Sequence, residues 1–341
     1  MASARILPPP LVPKLDKLDW GILFQLDLDA FQSFSTLGKK LKTGRDVIYY
    51  RVKRLEELGI IKKYITNIDY SKLGYLIGAL YLKFRHDNPE LREEIITYYN
   101  SQDEIWWLDG MEGQYDLALG WFAKDISSLR ETQRKLMEKY RKYFQDSKFR
   151  FFNRFFHYKR NYLSQNSEEY SYEKFIIDAN PKLLTDEIDN KILKVLSENA
   201  RMDYVSVAKK LKLTAAQVHY RIKQLKEKKI IFGARPLINL EKIGYQWYKL
   251  DIYLDDYTAY NKIMDYVSKH PNIIYAYDAF GGEDIGLDIE VKNYQEFKKL
   301  EGDIKSKFHE AIEKTDFIIF TKEYKLKYFP YLGKGGNAPS P

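Results

Sequence analysis

Positively charged side chains are concentrated in two short windows of the sequence. Residues 39–63 contain nine Lys and Arg against three Asp and Glu, and residues 209–233 contain eight against one. The whole chain of 341 residues carries a formal net charge of only +8, so the rest of the chain is net negative. Clustered cations bind phosphate groups by releasing condensed counterions. The distribution therefore indicates two nucleic-acid-binding segments, the alternative being solvated helix faces.

Residue types suited to catalysis or metal binding are sparse. The sequence has no cysteine, which excludes disulfides, thiolate catalysis and cysteine-based zinc sites. The five histidines are His86, His157, His219, His270 and His309, and no two of them lie at a metal-ligand spacing. We therefore expect no catalytic residue, no metal and no cofactor, and we predict that the chain is not an enzyme.

The elements that must position the charged windows occur twice in the chain. Residues 16–75 align with residues 186–245 without a gap, and 21 of the 60 pairs are identical, where chance gives only a few. The chain is therefore a tandem duplication of a unit of about 150 residues, far too long for a solenoid repeat. We call the units copy 1, residues 14–162, and copy 2, residues 182–331.

The first part of each copy has the pattern of a winged helix-turn-helix. In copy 2, Asp186 can cap a first helix, and a short second helix follows it. Thr214 comes after a turn and can cap a third helix with an apolar face of Val218, Ile222 and Leu225. An extended segment follows the third helix. Three short helices in this order predict a helix-turn-helix, and the extended segment predicts its winged variant.

The second part of each copy alternates in the order βαββαβ. In copy 1 the pattern predicts strands at 77–84, 105–108, 115–122 and 149–158 and helices at 89–99 and 126–143. In copy 2 it predicts strands at 247–254, 273–279, 285–291 and 317–326 and helices at 257–268 and 294–308. This order is that of the ferredoxin-like split βαβ. The predicted fold class is α+β, a tandem duplication of a winged helix-turn-helix and a ferredoxin-like domain.

The same patterns give the boundaries of the predicted segments. They are a flexible N-terminus at 1–13, winged helix-turn-helix units at 14–72 and 182–242, ferredoxin-like domains at 73–162 and 243–331, a linker at 163–181 and a flexible tail at 332–341. No apolar run approaches the roughly 18 residues of a membrane span, and the N-terminus lacks the apolar region of a secretory signal. We expect a cytoplasmic protein without membrane contacts.

One ordered set of motifs occurs in both copies. In copy 2 it comprises Asp186-x-x-Asp189-x-x-Ile192-Leu193, Arg201, Tyr220-Arg221-Ile222-Lys223-x-Leu225, Ile230-Ile231, Gly244-Tyr245 and Gly281-x-x-Asp284. The set resembles the leucine-responsive regulator (Lrp/AsnC, feast/famine) family of transcription factors, whose members usually assemble from single units. The resemblance implies a transcriptional regulator whose partner is double-stranded DNA. It also implies that the two ferredoxin-like domains pair through their sheets. We expect an intrachain pseudo-dimer, because the linked partner is present at a high effective concentration. The alternative is pairing of copies between chains, and higher homo-oligomers are left open.

The start of the third helix in such a unit faces the major groove. The candidate DNA-binding residues are therefore Arg45, Asp46, Tyr49, Tyr50, Lys53 and Arg54 in copy 1 and Thr214, Ala215, Gln217, His219, Tyr220 and Lys223 in copy 2. Arg201, which precedes the second helix of copy 2, is a further candidate for a phosphate contact. Arg45 is suited to guanine and Gln217 to adenine, while cations further along the helix hold phosphates. Arg51 and Arg221 are either further phosphate contacts or salt-bridge partners of the first helix.

The two helix-turn-helix units differ at positions that matter for DNA. Copy 1 has Phe31 where copy 2 has Arg201, and Gly44 where copy 2 has Thr214. Whether both copies bind DNA, and whether they read the same bases, is left open by these differences. Because copy 2 has the better N-cap and an additional cation, we expect it to bind DNA more tightly than copy 1.

A possible effector site follows from the resemblance. In the family, small ligands that are often amino acids bind between paired ferredoxin-like domains near a Gly-x-x-Asp loop. The resemblance gives this role to Gly113, Asp116, Gly281 and Asp284. Glycine lets backbone N–H groups approach a carboxylate, and Asp accepts from an ammonium group. The alternative is an ordinary hairpin turn with a turn aspartate.

Two other functions remain open at this stage. Siroheme decarboxylases share the two-part architecture and work as paired units, so a fused pair would act on a tetrapyrrole. The residues that favour this function are Arg150, Arg154, His157 and Arg160 at the last predicted strand of copy 1. The other alternative is an interaction scaffold with degenerate helix-turn-helix units, against which the basic windows argue.

Overall fold

The computed structural model describes residues 13–86 and 88–330 of the chain. The predicted flexible ends, 1–13 and 332–341, lie outside the described residues apart from Pro13. No helix in the described part is long and apolar enough to cross a membrane.

Each copy begins with three helices and a strand, as the sequence predicts. In copy 1 these are α1 Lys17–Leu28, α2 Phe34–Lys40, α3 Arg45–Glu57 and β1 Ile61–Ile68. In copy 2 they are α6 Glu187–Glu198, α7 Tyr204–Leu211, α8 Ala215–Glu227 and β7 Ile231–Ile238. Apolar residues at helical spacing form the core of each unit, with Ile48, Val52 and Leu55 of α3 completely buried. The α+β fold class predicted from the sequence is confirmed.

An arginine of the third helix fixes the start of the first helix in both copies. Asp16 caps α1 by accepting from the backbone N–H of Asp19, whose carboxylate accepts in turn from the N–H of Asp16. Arg51 Nη1 donates to both carboxylates, at 2.7 and 3.2 Å. Arg221 donates to the equivalent pair of copy 2, at 2.6 and 2.9 Å. Of the two roles considered for Arg51 and Arg221, the structure has the salt bridge.

The strands that follow the helix-turn-helix units pair with each other. β1 runs antiparallel to β7 in a two-stranded sheet. Reciprocal backbone bonds reinforce this pair, since the N–H of Ala30 donates to the carbonyl of Ala234 at 2.8 Å and the N–H of Ala200 donates to that of Tyr64 at 3.0 Å. Each unit is therefore bonded to the strand of the other copy, which holds the two units in one fixed arrangement.

The remaining elements follow the predicted βαββαβ order. In copy 1 they are β2 Leu76–Phe84, α4 Pro89–Ser101, β3 Ile105–Gly113, β4 Leu117–Ala123, α5 Ile126–Glu138 and β5 Phe144–His157. In copy 2 they are β8 Gln246–Leu254, α9 Tyr260–Val267, β9 Ile273–Phe280, β10 Ile285–Val291, α10 Tyr294–Lys307 and β11 Ile312–Leu326. The helix predicted at 126–143 ends earlier, at Glu138, and the last strand of each copy begins earlier than predicted.

The two ferredoxin-like sheets join edge to edge. Strand β3 of copy 1 pairs with β11 of copy 2, and β5 of copy 1 pairs with β9 of copy 2. With the pairs inside each copy, including β2–β5, the order β2-β4-β3-β11-β8-β10-β9-β5 closes on itself. A closed barrel removes the exposed strand edges that would otherwise bind other chains.

Side chains alternate between the outside and the inside of this barrel. Along β8, Tyr248, Leu250 and Ile252 pack with residues of α9 and α10 in one apolar core. The intervening Lys249 and Asp251 are completely buried on the other face, towards the sheet of copy 1. The helices therefore cover the outer surface, and the barrel interior is the contact between the two copies.

The linker predicted at 163–181 contains a strand that the sequence pattern did not predict. Strand β6, Phe175–Asp178, pairs antiparallel with residues 154–157 of β5. Ile177 is buried, and Phe175 stacks on Phe232 with ring centroids 4.7 Å apart. A run of only four residues has too few positions for periodicity to decide its structure. Pairing with β5 therefore orders this part of the linker, and the local sequence pattern does not predict it.

A buried ionic cluster joins the first helix-turn-helix to the barrel. Asp27 on α1 accepts from Arg160 at 2.9 Å and from Arg235 on β7 at 2.7 Å. Arg160 also pairs with Glu290 on β10 at 2.7 Å. Burial would raise the pKa of Asp27, but Arg235 and Arg160 outweigh it and lower the pKa to about 2. Because this value lies below the ordinary 3.8, the stabilisation is present above pH 4 and is lost as the pH falls towards 2.

Substituting Asp27→Asn is expected to lower the free energy of unfolding at pH 7 by about 3–5 kcal/mol, because it leaves the buried guanidinium of Arg235 without its carboxylate partner. Urea unfolding measures the change, and the exposed Asp255→Asn is the control that should stay within about 0.5 kcal/mol of the parent protein. The deficit of Asp27→Asn should shrink as the pH falls from 5 towards 2, where Asp27 itself becomes neutral. A deficit that stays constant over this range contradicts the assignment.

Candidate nucleic-acid interface

The third helices α3 and α8 expose most of the residues predicted to contact DNA. The exposed members are Arg45, Asp46, Tyr49, Tyr50 and Lys53 on α3 and Thr214, Gln217, His219, Tyr220 and Lys223 at α8, while Ala215, Arg54 and Arg201 are partly buried. The opposite faces of both helices are buried in the unit cores. Each copy therefore presents one polar and aromatic helix face to the solvent.

The two third helices begin differently. Thr214 caps α8 by accepting from the backbone N–H of Gln217 at 3.2 Å, and Gln217 Oε1 accepts from the N–H of Thr214 at 2.9 Å. Gly44 at the start of α3 offers no side-chain cap. The predicted N-cap is present, but it occupies the Gln217 carbonyl oxygen. Gln217 would have to leave this capping box to bind adenine through both its side-chain carbonyl oxygen and its NH2 group.

The exposed lysines of the third helices are only loosely held. Lys53 pairs with Glu56 at 2.7 Å and Lys223 with Glu227 at 3.8 Å, and both lysines are about half exposed or more, at 48% and 64%. Exposed pairs of this type are worth about 0–1 kcal/mol, so a phosphate can replace the glutamate at little cost. Arg54 is less available to a phosphate than these lysines, because its Nη1 donates to the buried Asp19 at 3.1 Å.

A lysine in the turn before the third helix was missed as a site residue. Lys42 and Lys212 are equivalent in the two copies, and both have a left-handed backbone, with φ of 53° and 55°. This left-handed conformation is common where a helix ends, is unusual for residues other than glycine, and is also adopted by Lys229. Both lysines are exposed. The signal in the sequence was an identical lysine at this position in both copies.

Arg201 lies between the two helix-turn-helix units rather than on the DNA-facing surface. Its Nη1 donates to the backbone carbonyls of Ala30 at 2.7 Å and Gln32 at 3.2 Å, both in copy 1. Its guanidinium also lies over the rings of Phe34 and Tyr64, 4.7 and 5.2 Å from their centroids. These contacts correct the expectation of a phosphate contact, which considered each unit in isolation.

The Gly-x-x-Asp loops lie where the two copies meet. Gly113 and Gly281 have φ of 118° and 82°, and a Cβ atom on them would lie 2.9 Å from the carbonyl oxygen of Phe317 and 2.7 Å from that of Phe149. In each case that carbonyl belongs to the other copy. Glycine is therefore required for the close approach of the two backbones.

The aspartates of these loops are engaged within their own copy. Asp116 accepts from Lys83 Nζ at 2.9 Å and from the backbone N–H of Phe84 at 2.8 Å. Asp284 accepts from the Tyr257 hydroxyl at 2.5 Å and from the N–H of Leu254 at 2.8 Å. A ligand with an ammonium group would share each carboxylate with these two donors, since an ionised carboxylate accepts up to about four hydrogen bonds.

The residues that favoured a tetrapyrrole function do not line one cavity. Arg150 is completely buried in the barrel, and Arg160 belongs to the ionic cluster around Asp27. His157 packs between aromatic rings, and burial lowers its pKa to about 3. Arg154 is 40% exposed and pairs with Asp278. Each of the four side chains faces different neighbours.

Comparison with protein families identifies the two helix-turn-helix units separately. A model of the AsnC-type helix-turn-helix domain matches residues 186–226, and a model of winged helix-turn-helix DNA-binding units matches residues 15–62. Each match falls on the three helices of one copy.

Two archaeal proteins illustrate the similarity in sequence. The HTH-type transcriptional regulator Ptr1 of Methanocaldococcus jannaschii is 36% identical over 118 residues, which are 34% of this chain and 76% of that protein. The HTH-type transcriptional regulator FL11 of Pyrococcus furiosus is 27% identical over 145 residues, which are 42% of this chain and 93% of that protein. Each relative therefore corresponds in length to about one copy.

A solved structure resembles nearly the whole chain. The siroheme decarboxylase NirDL superposes with a TM-score of 0.61 and 16% identity, covering 94% of this chain and 95% of that chain. Its complex with an iron-uroporphyrin III analogue gives a TM-score of 0.62. At this identity the match shows a shared fold. It contradicts the prediction that the chain is not an enzyme, because an enzyme has the same fold over nearly its whole length.

Replacing Arg201 by Met is expected to lower the unfolding midpoint, because two carbonyl oxygens lose their charged donor. The slope of log affinity for duplex DNA against log salt should stay unchanged, since Arg201 faces protein. Lys212→Met is the matched control and should reduce the slope by about 0.9, the value of one phosphate contact. If Arg201→Met reduces the salt slope as much as Lys212→Met does, Arg201 contacts DNA and its assignment to the contact between the two helix-turn-helix units is wrong.

Proposed function

The chain belongs to the Lrp/AsnC family of helix-turn-helix transcriptional regulators, and from that premise we propose that it is a sequence-specific DNA-binding regulator in which one chain acts as a pseudo-dimer. The observation that carries this proposal is the pair of exposed third-helix faces held together by β1 and β7. A helix-turn-helix dimer binds two half-sites through two such helices. Here both helices are supplied by a single chain.

The proposed complex separates positioning from base recognition. Lys42, Lys53, Lys212 and Lys223 are exposed around the third helices and are suited to phosphate oxygens, which set affinity and register. Arg45 at the start of α3 is suited to the acceptor pair of guanine. The four lysines occupy equivalent positions in the two copies, whereas the residues that face the bases differ between the copies.

The base-reading residues differ between the copies. In copy 1 they are Arg45, Asp46 and Tyr49, and the equivalent positions in copy 2 are Ala215, Ala216 and His219. Alanine can contact the methyl group of thymine but makes no hydrogen bond to a base edge through its side chain. We therefore infer that the operator has two unlike half-sites.

Replacing Lys53 and Lys223 together by Ala is expected to weaken binding to every duplex sequence and to reduce the salt slope by about 2, because two phosphate contacts are lost. Fluorescence anisotropy at several salt concentrations measures this slope. Lys262→Ala with Lys299→Ala is the charge-matched control on the barrel helices, where both lysines are exposed. Equal slopes for the two double variants would overturn the proposed interface.

A second candidate function is action on an iron tetrapyrrole of the siroheme type, and the match to NirDL over 94% of the chain favours it. The test is an absorbance titration of the full chain with iron uroporphyrin. A shifted band that saturates at a fixed ratio to the chain supports this function, and a spectrum equal to that of the free porphyrin at all ratios rejects it. The titration is independent of the DNA measurements, so the two functions are tested separately.

A further inference from the structure

The centre of the barrel contains charged side chains on one side of the contact between the copies. Arg150 of copy 1 and Lys249, Asp251 and Glu283 of copy 2 are all buried, with at most 1% of each exposed. Charged residues are almost never this deeply buried unless they are paired. The way in which these four are paired therefore decides how the copies fit together.

The single charge from copy 1 is neutralised by carboxylates of copy 2. Arg150 Nη1 donates to Glu283 at 2.6 Å, and Nη2 donates to Asp251 at 3.0 Å. Lys249 Nζ donates to Glu283 at 2.7 Å and also contacts Asp251. All contacts of Arg150 with carboxylates cross from one copy to the other.

The charges of copy 2 do not balance without Arg150. Lys249, Asp251 and Glu283 together carry −1 when the lysine is protonated, and −2 when it is neutral. Burial and the neighbouring Arg150 lower the pKa of Lys249 to about 7, whereas Lys249 and Arg150 lower the pKa of Glu283 despite its burial. Copy 2 thus needs a cation from its partner in either state of Lys249.

The other side of the same contact is mainly apolar, and its one buried carboxylate among the described residues of β3, Asp109, accepts from the indole N–H of Trp107. The two last strands align with Phe149 over Phe317, so Ile318 is the residue of copy 2 equivalent to Arg150. Ile318 is completely buried in a cluster of copy 1 that includes Ala79, Tyr81, Met111 and Tyr115. Of these, Ala79, Tyr81 and Tyr115 are the copy-1 equivalents of Lys249, Asp251 and Glu283.

We propose that this exchange of unlike side chains is a specificity device that lets each copy pair only with the other kind. Arg150 enters the charged site of copy 2, and Ile318 enters the apolar site of copy 1. The domain that fits the barrel-interior face of the copy-1 sheet is therefore a copy-2 domain, which can belong to the same chain or to another chain. A second copy-1 domain does not fit this face.

Like pairing is disfavoured in both combinations. Two copies 1 would bury Arg150 against Ala79, Tyr81 and Tyr115, which offer no carboxylate. Two copies 2 would place Ile318 against an acidic site with no cation from the partner. An uncompensated buried charge is strongly destabilising, so both like pairs are excluded by the same physical cause.

A cycle of isosteric variants of the full chain tests whether charge balance across the copies holds the pair. Arg150→Met leaves a net charge of −1 in the site and Glu283→Gln leaves +1, so each should lower the melting temperature by about 5–10 °C. The double variant keeps the balanced Lys249–Asp251 pair, with the neighbouring Asp288 unchanged, and should melt above either single variant. Ile318→Met is the control at the apolar equivalent and should change the melting temperature by about 3 °C or less. A double variant that melts below both singles would overturn the proposal.

Reversed charges test the specificity itself. Arg150→Glu and Glu283→Arg in separate full chains each place like charges together within the chain. After the two variants are mixed, copy 1 of one chain and copy 2 of the other become complementary, so native mass spectrometry should detect a dimer of the two different chains. The chain with both reversals should be monomeric and more stable than either single variant. The absence of the mixed dimer together with no gain in the double variant would rule the device out. Neither measurement involves DNA, so the result is independent of the proposed regulator function.

Discussion

The structure depends on strand pairing between two copies that are no longer alike. The ferredoxin-like sheet of copy 1 is completed on one side by β11 and on the other by β9, and β1 is paired with β7. One copy by itself would expose several strand edges and the buried face of its sheet, which soluble proteins avoid. The same pairing fixes the distance and orientation of the two recognition helices. The arrangement of the two third helices therefore depends on the pairing of the copies.

Duplication within a chain removes a restriction that applies to symmetric dimers. In a two-fold dimer each residue must suit both sides of the interface. Here the equivalent positions have different neighbours. Arg150 contacts carboxylates of copy 2, whereas its equivalent Ile318 contacts apolar side chains of copy 1. Arg201 donates to backbone carbonyls of copy 1, whereas its equivalent Phe31 lies under a lysine of copy 2. The same freedom extends to the exposed faces of α3 and α8, so the two proposed base-reading surfaces can differ in chemistry.

The sequence predicted the repeat, the order of elements and the winged helix-turn-helix units, because helical periodicity and caps such as Thr214 are local signals. It did not predict strand β6, whose four residues are ordered by contact with β5. It also placed Arg201 on DNA, because the carbonyl partners of Arg201 in copy 1 are distant in sequence. The assignment of Gln217 to a base stays a prediction, with which the capping box of Gln217 competes. The prediction that the chain is not an enzyme was wrong. It gave the absence of catalytic motifs more weight than the two-part architecture, which the chain shares with a decarboxylase over 94% of its length.

The most direct test of the regulator assignment is selection of bound fragments from random-sequence duplex DNA by the full-length protein. The account predicts one enriched motif with two unlike half-sites about one helical turn, or a multiple of it, apart. It further predicts that changing Arg45 to Ala alters the preference in one half-site only. A selected pool with no sequence enriched over the input would contradict the central claim that this chain is a sequence-specific DNA-binding protein.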